Sequence, residues 1–179
     1  MGKIKNTLVG LLVGAASFGL VNRANADGEI QITTNSSDQL YPAIFGNTIV
    51  WHDNRNGNAN LDIYKWDPAN GVQPVTTSGA SQYDPYIWGD IISWTDLRNG
   101  NTDIFMWSPT TGEAPVTTAL DDQEGVAVYR NILVWQDQRN GNNDDVYMWD
   151  QINGERAIIV HPALQSLPHI NNGAVVWSD

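Results

Sequence analysis

The chain has 179 residues, with 9 Lys and Arg against 20 Asp and Glu, eight Trp and no Cys. A net charge of −11 repels phosphate backbones and anionic lipid headgroups, which argues against nucleic acid and membrane surfaces as partners and leaves cations, basic proteins and neutral sugars. Without cysteine there is no disulfide and no thiol nucleophile, so the fold must rest on burial and backbone pairing.

Residues 1–26, "MGKIKNTLVGLLVGAASFGLVNRANA", place Lys3 and Lys5 ahead of an apolar run from Leu8 to Val21 and end in Ala24-Asn25-Ala26. A charged start, an apolar middle and a small-residue end predict a secretory signal peptide. The apolar run is shorter than the ~20 residues of a membrane-spanning helix, so removal is expected rather than anchoring, with no membrane insertion afterwards. The mature chain, 27–179, would be exported to the extracellular space, the cell surface or the periplasm. It keeps six of the nine basic residues against all 20 acidic ones and has the length of one domain.

From Ile30 onward the chain repeats itself. Trp51, Trp94, Trp135 and Trp177 are 43, 41 and 42 residues apart, and each is followed two positions later by Asp53, Asp96, Asp137 or Asp179. Trp66, Trp107 and Trp149 form a second series in the same register, and Ile32-Thr33-Thr34, Val75-Thr76-Thr77, Val116-Thr117-Thr118 and Ile158-Ile159-Val160 a third. A period near 42 fits a four-stranded propeller blade or a helical pair. Ile49-Val50-Trp51, Ile91-Ile92-Ser93-Trp94, Leu133-Val134-Trp135 and Val175-Val176-Trp177 are β-branched and aromatic runs too short for helices. Gly46-Asn47, Gly89-Asp90, Arg130-Asn131 and Asn172-Gly173 suit tight hairpins with positive φ. "DPANG", "SPTTG" and "DQING" supply the turn between third and fourth strands.

Because the central runs are apolar at consecutive positions, both faces of each sheet must be covered, as they are when blades stack on one another. The fold class predicted is all-β: four-stranded antiparallel propeller blades at about 41–77, 83–118 and 126–160, a partial blade at 168–179, and an outer strand at 30–34 ahead of the first. Three full blades and partial ones fall short of a ring of 4 to 8, so an open arc or a fragment of a ring is expected, with blade edges open to self-association.

The pattern Gly46-Asn47-x-Ile49-Val50-Trp51-x-Asp53-x-Arg55-Asn56-Gly57-Asn58, then Asp62-Ile63-Tyr64-x-Trp66-Asp67, Gly71 and Val75-Thr76, recurs at Gly89 to Thr117 and, with Arg130 in place of the glycine, at Asn131 to Val160. It resembles the TolB-like β-propeller repeats and covers essentially all of the mature chain. The Pro-Asp-Gly-Lys turn usual in that family is absent, replaced by Phe45-Gly46-Asn47-Thr48, which looks closer to the surface-protein versions of the repeat. The resemblance implies a secreted or cell-surface scaffold that binds a protein or an extracellular glycan. The alternative it leaves is the accessory propeller of an exported polysaccharide lyase, hydrolase or peptidase.

The loop "DQRNGNNDD" poses the main site question. Asp137, Asn142, Asp144 and Asp145 offer oxygens of the kind calcium takes. Arg139 brings a positive charge into that set and no terminal Glu follows, so the expected role is structural, with no metal and no cofactor. Asn-Gly makes the turn, and Arg55, Arg98 and Arg139 pair with Asp53, Asp96 and Asp137 or across the hairpin with Asp62, Asp103 and Asp145. The same end of each blade should collect Asp53, Asp96 and Asp137 with Asp38, Asp84, Asp121 and Asp122 into an acidic rim. Trp88 and Asp84 are the candidate ligand contacts, Trp88 being the one Trp outside the repeat series; packing near the ring's axis is its simpler role. His52, His161 and His169 lack metal-ligand spacing, and no nucleophile motif is present, so no catalytic residue is nominated. His52 is expected on a half-exposed strand face.

Overall fold

A computed structural model describes residues 9–11, 29–57, 59–141 and 143–179. The remainder of the expected signal peptide lies outside the described residues. No helix among the described residues is long and apolar enough to cross a membrane.

The chain is built of strands. Short β1 (Val9–Leu11) and β2 (Glu29–Gln31) pair antiparallel. The first blade is β3 (Gln39–Phe45), β4 (Thr48–Asp53), β5 (Asp62–Asp67) and β6 (Gly71–Pro74); the second is β7 (Gln82–Trp88), β8 (Ile91–Asp96), β9 (Asp103–Ser108) and β10 (Gly112–Pro115). The third is β11 (Gln123–Tyr129), β12 (Ile132–Asp137), β13 (Asp145–Asp150) and β14 (Gly154–Ile159), and β15 (Ser166–Asn171) with β16 (Ala174–Ser178) forms a two-stranded sheet. Each blade is a simple up-and-down meander. The opening strand is therefore Glu29–Gln31 rather than 30–34, and it pairs with Val9–Leu11 instead of completing a blade.

The turns follow the backbone chemistry the residues allow. Gly46 and Gly89 take φ of 56° and 59° in the first hairpins, and Arg130 and Asn172 hold 56° and 48° at the equivalent places. Positive φ matches the right-handed twist of a two-residue hairpin and is least strained at glycine.

Blades stack face to face, the inner strands β3, β7, β11 and β15 lying side by side in that order. Val50 and Ile63 of the first blade meet Ile87, Ile92, Trp94 and Phe105 of the second. Ile104 of the second meets Val126, Val128, Leu133, Trp135 and Tyr147 of the third. On the first blade's other face, Trp51, Ile49 and Trp66 are covered by Ile32 and Ile30. Trp51, Trp94 and Trp135 are 0% exposed. Burying a Trp removes up to about 250 Å² from water, so Trp94 and Trp135 help join the blades they lie between, and Trp51 ties the first blade to Ile30 and Ile32. The sheets form an arc that is not closed into a ring.

Candidate functional site

The repeated Trp-x-Asp-x-Arg motif resolves into a closed set of bonds. Residues two apart on a strand share a face, so each Trp indole N–H reaches the following Asp: Trp51 to Asp53 at 3.2 Å, Trp94 to Asp96 and Trp135 to Asp137 at 2.9 Å. The same carboxylates are gripped by Arg55, Arg98 and Arg139 through Nε and Nη2, and accept the Arg backbone N–H. Each guanidinium lies on a ring, Tyr64, Phe105 or Tyr147, at 3.9, 4.2 and 4.3 Å. Burial pushes Asp53 up, but the bonds from Arg55 and Trp51 outweigh it and hold its carboxyl below the ordinary value.

Across the hairpin, Asp53, Asp96 and Asp137 stand directly opposite Asp62, Asp103 and Asp145. Like charges so placed repel. The arginines do not bridge to this second row; Asn56, Asn99 and Asn140 do, donating to Asp62, Asp103 and Asp145 at 2.6, 2.6 and 2.9 Å. Burial, the first cause, raises Asp62 and Asp103 above the ordinary carboxylate value, and Asp53 and Asp96 respectively add to the rise. The first row is fully buried, so it does not belong to a solvent-facing rim. Asp137 is taken by Trp135 and Arg139, Asp144 by Gln136, and Asp145 by Asn140 and the His161 N–H; Asn142 lies outside the described residues. Among the described residues, no group of three or more His, Cys, Asp or Glu is arranged to hold a metal ion.

Two further repeat positions carry structure and were missed from sequence, although their spacing could have revealed them. Gln39, Gln82, Gln123 and Gln165 stand twelve residues before the Trp series. All four are buried and donate to the carbonyl two residues earlier. Asn101 and Asn143 staple the loop leading into the next blade, Asn101 to Ala119 and Asp121 O and Asn143 to His161 and Ala163 O. Asn60 does the same to Ser78 and Ala80 O with its amide turned to donate.

The inner strands share a β-bulge at Tyr41, Asp84, Gly125 and Leu167, whose φ values are 52°, 52°, 64° and 52°. For a residue with a Cβ this costs about 1–2 kcal/mol. The bulge turns an N–H toward the preceding blade: Asp84 N donates to His52 Nδ1 at 3.2 Å and Leu167 N to Gln136 Oε1 at 3.1 Å. His52 is thus buried between blades, not half-exposed. Burial lowers its pKa, and its Nδ1 accepts a hydrogen bond, so the neighbouring Asp84 carboxylate at 3.9 Å faces a neutral ring.

Where the second and third blades meet, Asp84, Asp122, Glu124 and Asp144 lie near enough to act electrostatically on one another or on Tyr83. Thr102 ties the pair together, its N–H donating to Asp122 at 2.9 Å and its hydroxyl to Glu124 at 3.5 Å. None of these four carboxylates has a Lys or Arg partner among the described residues. Burial, then the charges of Glu124, Asp84 and Asp122, push Tyr83 up to about 12. Burial and Asp122 raise Glu124, with smaller contributions from Asp144 and Asp84, and burial raises Asp84. This blade junction is therefore rich in uncompensated negative charge, suited to receiving a cationic side chain.

Trp88 lies four residues further along the same strand and is not brought to Asp84. Its ring packs between Phe45 and Tyr129 of the flanking blades, centroids 4.9 and 5.2 Å away. It forms an aromatic row across three inner strands.

The solved structures this chain is similar to carry the same blade. TolB from Acinetobacter baumannii superposes with a TM-score of 0.64 at 18% identity over 86% of this chain and 41% of its own. The fold is that of a TolB-like β-propeller. A chain in the nidogen/laminin complex gives 0.57 at 17% over 86% of this chain and 61% of its own. The propeller domain of the trilobed protease from Pyrococcus furiosus, described as having an open velcro topology, gives 0.62 at 12% over 75% and 43%. The chain thus spans about two fifths of the length of that TolB chain. No family model matches the sequence, and no curated protein matches it.

Proposed function

We propose that this chain is an exported, non-enzymatic propeller scaffold that binds a protein partner, with basic side chains of that partner docking at the blade junction of Asp84, Asp122, Glu124 and Asp144. The supporting observation is that four carboxylates act on one another or on Tyr83 there without a Lys or Arg partner among the described residues, while the buried Asp53, Asp96 and Asp137 are each neutralised by an Arg. A Lys or Arg docking there would supply the missing charge, bringing Glu124 and Asp84 back down and gaining charge-assisted hydrogen bonds. The similarity to a chain in the nidogen/laminin complex supports a protein-binding role for the fold.

The reading is tested by calorimetry with a lysine-rich peptide against the wild type and the D84N/E124Q double variant. Affinity that falls about tenfold in the variant and weakens with salt supports it. Equal affinity in both proteins refutes it. A second reading, the accessory propeller of an exported peptidase, is favoured by the similarity to the trilobed protease propeller. Peptidase activity of the full-length gene product, lost when an attached catalytic domain is removed, would select it.

A further inference from the structure

The three Arg clamps are not equivalent, and the difference leaves one guanidinium edge without its counterpart. In the second and third blades the outer strand supplies a second carboxylate, Glu113 to Arg98 and Glu155 to Arg139. Both glutamates follow the strand-opening glycine and stand opposite a Trp, Glu113 by Trp107 and Glu155 by Trp149. The first blade has Val72 at that place, opposite Trp66. Arg55 consequently bonds Asp53 alone among the described residues, through Nε and Nη2.

The vacant edge is not simply open to water. Arg55's side chain is 21% exposed, against 28% and 26% for Arg98 and Arg139. It faces a cleft of about 550 Å³ walled by Val72 and the segment 31–36, whose side chains include Thr33, Thr34 and Asn35. Asp53 and the Tyr64 ring already hold the guanidinium in place, so a ligand would meet a preorganised fork and sacrifice little entropy in binding it.

We infer that this cleft is a carboxylate-binding site for an acidic side chain, glutamate above all, of a partner peptide. The sibling blades display the complex in cis: a carboxylate on a glutamate stem, arriving from the outer strand onto the same guanidinium. That internal precedent favours a peptide carboxylate over a sugar acid. The site is separate from the acidic junction of the second and third blades and does not depend on the function proposed for it.

The test uses the full chain and the variant Val72→Glu, which should fill the site from within and keep the fold. The Arg55 Nε–H resonance is followed by NMR while N-acetyl-glutamate N-methylamide is added, with the glutamine analogue and glucuronic acid as comparisons. A saturating shift with the glutamate compound, at least about tenfold weaker with the glutamine compound and absent in V72E, supports the inference. An equal response to the glutamine compound, or a shift that survives in V72E, overturns it. Glucuronic acid binding as tightly as the glutamate compound overturns the peptide assignment.

Discussion

Replacing Asp96 by Ala tests whether the Trp-Asp-Arg clamp stabilises the blades. Asp96 is fully buried and accepts four bonds: the Trp94 indole, and the Nε, Nη2 and backbone N–H of Arg98. Its loss strands the indole N–H inside a dry interface, which costs ~1–3 kcal/mol. Breaking a buried ion pair costs about 3–5 kcal/mol, but Arg98 is partly exposed and keeps Glu113, so its share falls well below that range. Asp103 recovers a few tenths when the like charge opposite it disappears. The net expectation is a loss of ~3 kcal/mol, or about 6–12 °C in melting temperature for a domain of this size. Urea and thermal unfolding followed by tryptophan fluorescence measure it. The decisive comparison is the same substitution made in a Trp94→Phe background, where the indole donor is already gone and D96A should cost about 1 kcal/mol less. A D96A loss below ~0.5 kcal/mol, or one of identical size in both backgrounds, would refute the reasoning.

Three further outcomes are expected. Leu167→Gly relieves a left-handed backbone at a side chain that is 65% exposed and keeps the N–H that serves Gln136, so stability should stay level or rise by ~1 kcal/mol; a loss beyond ~1 kcal/mol in chemical denaturation would contradict this. Asp62 has a raised folded pKa, so its contribution is complete below the unfolded value and disappears as pH climbs through the folded one. Asp62→Asn should therefore gain stability relative to wild type as pH rises from about 3.8, and a difference that stays flat across pH in denaturation midpoints would count against it. Iodide should leave the buried Trp51, Trp94 and Trp135 largely unquenched in the folded protein, measured in variants whose other tryptophans are replaced by phenylalanine.

Much of the architecture was legible because repetition turns weak local signals into strong ones. A single short apolar run ending in Trp is ambiguous, but four of them in one register, each preceded by a hairpin pair with a glycine or amide, leave little besides stacked sheets. The Arg pairing of Asp53, Asp96 and Asp137 was also readable, since an Arg two residues past a strand-ending Asp sits in the tight turn within reach of its carboxylate. Buried Gln39, Gln82, Gln123 and Gln165 went unnoticed because glutamine carries no strong expectation of burial, and only their common distance from Trp betrays them.

What the sequence by itself determined is the blade: its period, its four strands, its turns and the indole at each interface, all of which depend on contacts between residues close along the chain. Only the tertiary structure decided which acids are neutralised and which are not. Asp53 and Asp84 look alike in a row of letters, yet one is enclosed by Arg55 and Trp51 while the other faces Glu124 from a neighbouring blade. Charge balance is set by distance in space and by water exclusion, and neither is encoded in separation along the chain.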